Sequence, residues 1–137
     1  MDSLEKKPPY FLENNMQELI RDTSRWEHEL DFIALEIRFI KLFLGSFPFS
    51  AERPNLFERV QTFIQKLENM EDPRKVLVEK IHSHKNELNT IHEKTDGLIQ
   101  FYALNHEIIK EELNGLMQKY KQLKWEIYEY SDSIIEE

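Results

Sequence analysis

A chain of 137 residues with 40% apolar and 32% charged side chains is long enough for one domain with a real core, and its scarcity of glycine and proline (three and five) favours helix over sheet. A formal charge of −8, from 26 acidic and 18 basic residues, argues against binding a phosphate backbone or an anionic membrane, since both need a basic face. With no cysteine, disulfides and thiolate chemistry are excluded.

Residues 1–8 are polar and run into Pro8-Pro9, so a disordered N-terminus is expected. It carries charge without an apolar stretch, unlike a signal peptide. The most apolar run, Leu30–Leu44, is interrupted by charge and falls short of the ~20 residues that span a bilayer. A soluble, cytoplasmic protein is expected.

The first helix is expected over about 14–44, starting somewhere between Pro9 and Asn15. Pro9 suits a first helical position, and Asn14 with Gln17 or Asn15 with Glu18 suits a capping box. A seam at alternating three- and four-residue steps runs Met16, Leu19, Thr23, Trp26, Leu30, Ile33, Ile37, Ile40, Leu44, a heptad rhythm of the coiled-coil kind. Gly45 suits the C-terminal stop. The same helix carries Phe32, Leu35, Phe39, Leu42 and Phe43 off that seam. A helix apolar over most of its circumference needs cover on more than one side. These five residues are therefore the expected interface, with a second copy of the chain or with another helical protein.

In the loop Ser46–Pro54, Phe47 and Phe49 read as a hydrophobic lid over the bundle end. A second arm is expected over about 55–94, opened by a capping box of Asn55 and Glu58. Glu71-Asp72-Pro73 breaks it at 71–73, yet the apolar spacing keeps its phase from Leu67 and Met70 to Leu77 and Ile81, so a kink is expected rather than a reversal. Lys94–Gly97 signals a turn. The last helix, about 98–134, carries a seam from Ile99 through His106, Tyr120 and Ile127 to Ile134. Asn114-Gly115 lies inside that rhythm and reads as helix, with Gly115 marking a close helix approach. The acidic end opposes the helix dipole and should fray. Three arms with short connections predict an all-α, elongated, antiparallel up-down-up three-helix bundle with its middle arm kinked near Pro73. The alternative is a four-helix bundle with a true turn there.

Chemistry is sparse. Scattered glycines build no phosphate loop, and no nucleophile motif is present. Glu79–His82 is a single Glu-x-x-His pair, and di-iron bundles need two. His84 and His106 fall on the seam at similar heights of adjacent arms, which makes them the metal candidates, with Glu87 or Glu107 as a nearby carboxylate. Their expected role is as hydrogen-bonded core histidines, uncharged when folded, with no metal and no cofactor. Glu36 lies within the Phe32–Phe39 face and needs a partner from another arm. The expected function is a non-catalytic interaction or structural module that forms a homodimer or docks a helical protein, with no nucleic-acid partner. The alternative is a bundle that binds metal or a hydrophobic ligand.

Overall fold

The computed structural model describes residues 9–47, 55–90 and 96–135. Every element among them is helical: α1 Pro9–Gly45, α2 Leu56–Glu68, α3 Glu71–Thr90 and α4 Asp96–Ile135. Helices α2 and α3 are two halves of one bent arm, so the architecture is the three-helix bundle; the middle arm does not reverse to make a fourth helix.

Cross-chain bonds establish direction and register. His106 with Asp22 and Tyr120 with Glu36 each span 84 residues, so α1 and α4 run parallel at constant register. Leu30 and Glu27 of α1 meet Arg74 and Lys85 of α3, one sequence descending while the other climbs, so the middle arm is antiparallel to α1. Lys80 with Glu112 and His84 with His106 give the same sense between α3 and α4.

The core is the heptad seam of each arm: Trp26, Leu30, Ile33, Ile37, Ile40 and Leu44 from α1, Leu56, Val60, Phe63 and Leu67 from α2, Leu77 and Ile81 from α3, and Ile109 through Ile127 from α4. Phe47 packs on the core edge-on to Phe43, at 5.0 Å, as the lid reading expected. Phe49, residues 1–8 and residues 91–94 lie outside the described residues.

Several local expectations are corrected. Helix α1 opens at Pro9, the earliest of the starts the sequence offered, so positions 14 and 15 lie within the helix and not at its N-terminus. Asn55 makes no side-chain cap bond, although its carbonyl accepts the first intrahelical bond, from the Arg59 N–H at 2.9 Å. Gly45 ends α1 without a left-handed backbone, since no described residue has positive φ. The helix closes through Ser46 N–H to Phe43 O and Phe47 N–H to Leu44 O, with the Ser46 hydroxyl also donating to Phe43 O at 2.6 Å. A Cβ on Gly115 would meet nothing within 4 Å, so that glycine marks open space and not a close approach.

The break in the middle arm lies at Asn69–Met70, two residues before the expected 71–73. The proline ring clashes with the carbonyl four residues back, and for Pro73 that is Asn69. Pro73 itself sits in the first turn of α3, where its missing N–H costs little. Just past the bend, in the first turn of α3, Arg74 holds Glu71 through two bonds of 3.1 and 2.8 Å and reaches the Leu30 carbonyl at 3.3 Å. The side chain that occupies the seam at the bend thus ties it to α1.

Candidate functional site

One polar layer crosses the core and draws on all three arms. His84 and His106 are both buried, with His84 Nε2 2.9 Å from His106 Nδ1. His106 Nε2 lies 3.0 Å from Asp22 Oδ2, and Asn105 Nδ2 lies 3.3 Å from His84 Nδ1. A carboxylate only accepts, so His106 Nε2–H donates to Asp22. With both rings uncharged a single arrangement then satisfies the chain: Asn105 donates to His84 Nδ1, His84 Nε2–H donates to His106 Nδ1, and His106 donates to Asp22. Trp26 covers the His106 ring at 4.4 Å. Loss of water around His84, together with the charge His106 would carry when protonated, pulls the His84 pKa down to about 4.

All four ring nitrogens are therefore committed to bonds within the layer. Glu87 and Glu107 are exposed on their helices, and among the described residues no group of three or more histidine and acidic side chains converges as metal ligands. Of the Glu79–His82 pair, both members face solvent, and His82 lies 3.7 Å from Glu27.

A second polar group interrupts the α1/α4 interface. The Tyr120 hydroxyl donates to Glu36 Oε1, and Lys124 Nζ reaches the same oxygen at 3.0 Å. Burial alone would raise the Glu36 carboxyl; the Tyr120 and Lys124 bonds and the Lys124 charge outweigh it and hold it below its ordinary value. Burial, then Glu36, pushes the Tyr120 hydroxyl strongly upward. The sequence reading required a partner for Glu36 on another arm, and α4 supplies two.

Phe32, Leu35, Phe39, Leu42 and Phe43 are 39–65% exposed. Four of them, Phe32, Leu35, Phe39 and Leu42, are spaced by three, four and three residues, a second heptad seam turned away from the core. Between this seam and α4 runs an open apolar groove of about 600 Å³, bordered by Phe32, Phe39, Phe43 and Tyr128. A smaller extension of about 300 Å³ continues it past Phe32 and Glu36 toward Arg25, His28 and Lys121. At the other end sits Ser131, whose buried hydroxyl has no hydrogen-bond partner among the described residues.

The structure brings together both predicted histidines and gathers the five predicted interface residues on one face. It adds Asp22, Asn105, Lys124 and Ser131, which the sequence reading did not single out, and gives a bonding role to Arg74, which the spacing places on the seam. Asp22 and Asn105 each precede a seam residue, Thr23 and His106, and that adjacency is the one signal that marked them.

Among the described residues, fold and sites define an all-α three-helix bundle with one bent arm, a buried polar layer, and apolar side chains exposed on α1 and also on α4 at Phe101, Leu104 and Ile108. No family model matches the chain, and comparisons with curated proteins and with solved structures find no match to it.

Proposed function

We propose that this chain is a non-catalytic interaction module that docks a helix against the exposed face of α1. The observation carrying this reading is the exposed apolar face of α1: Phe32, Leu35, Phe39 and Phe43 border a groove between two parallel helices, and the exposed Leu42 continues the same face beside it. Their exposed surface is on the order of 500 Å², at the upper end of the patches that single soluble chains present. A helix laid antiparallel into the groove completes a four-helix arrangement and buries its own apolar stripe there. The buried histidine layer supports the same class of function, because its nitrogens are occupied by one another and by Asp22 and Asn105.

The groove volume also falls within the range of small-ligand sites, ~300–1,000 Å³. Such sites enclose most of their ligand, whereas this open groove is bordered by the half-exposed Phe32, Leu35, Phe39 and Tyr128, which suits a helix better.

The test is a photo-reactive amino acid in place of Leu42 in the full chain, irradiated in the host cell. A discrete cross-linked product is expected from Leu42 and none from the control position Gln61, exposed on α2. Silence at Leu42 overturns the reading.

A further inference from the structure

We infer that the occupant of the α1/α4 groove is a second copy of this chain, seated antiparallel about a two-fold axis that passes between Leu35 and Phe39. The inference rests on the reading of the α1 face as a helix-docking surface and names its partner and geometry.

The seam is self-complementary in that sense and not in the other. Antiparallel pairing sets Phe32 against Leu42 of the second copy and Leu35 against its Phe39, so each layer of the interface joins a ring to a branched aliphatic chain. Parallel pairing stacks Phe32 on Phe32 and Phe39 on Phe39, leaving alternate layers over- and under-filled.

Charge selects the same direction. Arg25, His28, Glu29 and Lys121 border one end of the groove, basic on balance, and Asp132 borders the other. Because α1 and α4 hold an 84-residue register, Asp132 stands at the height that the axis of α1, extended three residues past Gly45, would reach as position 48. Pairing position 32 with position 42 brings position 48 to position 26, so Asp132 arrives beside Arg25 of the second copy, twice per dimer. Asp132 forms no ion pair among the described residues, and Arg25 holds Asp22 at the open surface with donors to spare. Parallel pairing would bring Asp132 to Asp132 and Arg25 to Arg25. The second copy's His28 reaches the height of Ser131, whose hydroxyl lacks a partner in the single chain.

Glu36 lies beside the seam, and an unpaired carboxylate there would oppose burial. The Lys124 ammonium and the Tyr120 hydroxyl already neutralise it from within the chain. The apolar face of ~500 Å² plus its polar flanks approaches the ~800 Å² per partner of a standard stable interface.

Light scattering on the full chain at ~50 µM, a concentration at which a micromolar dimer is nearly complete, should give twice the 16.6 kDa chain mass. The chain has no cysteine, so introduced ones report geometry without interference. Leu35→Cys mixed with Phe39→Cys should give mainly the mixed disulfide, several-fold over either self-disulfide. Arg25→Asp and Asp132→Arg should each raise the dimer Kd about tenfold, equivalent to about 1.4 kcal/mol, and the double swap should restore it to within about threefold. A monomer at this concentration, dominant self-disulfides, or no rescue by the double swap overturns the inference. A monomer that still cross-links through Leu42 in the cell leaves the docking surface standing with a different occupant; silence in both experiments removes both.

Discussion

His84 is a titratable ring taken out of water with both nitrogens spent on neighbours, and that makes it a source of pH dependence. Its folded pKa, about 4, lies below the ordinary 6.5, so protons bind the unfolded chain more readily. Its stabilisation is complete above pH 6.5 and is lost as pH falls toward 4. Glu36 and Glu71 are lowered carboxylates whose contributions are lost only as pH falls below their ordinary 4.5. The interval between pH 6.5 and 4.5 therefore reports the histidine layer. Urea unfolding across it should show stability declining, and His84→Leu/His106→Leu should flatten most of that slope; an unchanged slope would place its origin elsewhere. Tyr120→Phe removes a bond to a charged group and should cost about 2 kcal/mol. The Glu36 carboxyl should then titrate higher by NMR, because Lys124 alone remains on it. A variant with unaltered stability and unaltered Glu36 titration would show that the hydroxyl contributes nothing.

Among the elements, α2–α3 and α4 carry opposite lessons about helix breakers. Pro73 bends its arm because the clash it imposes falls on Asn69, and the arm recovers within one turn through Arg74 and Glu71. Backbone amides at 69–72 should exchange with solvent faster than those at 60–66 or 80–88, and uniform protection would contradict the bend. Gly115 leaves its helix intact because neighbouring turns and the buried Leu113, Leu116 and Tyr120 hold it in place. Its Cβ position is open, so Gly115→Ala should raise stability by about 1 kcal/mol in thermal or urea unfolding. A loss of stability there would mean that the space beside Gly115 is filled in the folded chain. The expected side-chain cap failed at Asn55 for a related reason. A cap is a local preference of about 1 kcal/mol, and where helix packing extends or tightens a terminus that preference is overridden.

For the molecule as a whole, two classes of phenylalanine separate. Phe63 is 4% exposed within the core, and Phe63→Ala should cost about 3–5 kcal/mol. Phe39 is 60% exposed, and Phe39→Ser measured below the association range should change stability by less than about 1 kcal/mol. Equal losses at the two positions would place Phe39 inside the fold of the single chain.

The residues of the core were legible in the sequence because burial of a helix face is a one-dimensional periodic property, and the predicted seam from Thr23 to Leu44 matches the buried residues of α1. The surplus of the second seam was legible for the same reason, as was the helical state of Asn114-Gly115. Which groups meet across the arms was not legible. Asp22, Asn105 and Lys124 acquire their roles only when α1, α3 and α4 are set at one height. That height follows from the Asn69–Met70 bend and the 84-residue register between two parallel helices. Periodicity repeats every seven residues and is indifferent to a shift of one heptad; polar partners a few ångströms apart are not. The tertiary structure alone therefore decided the histidine layer, the neutralisation of Glu36 and the uncovered side of α1.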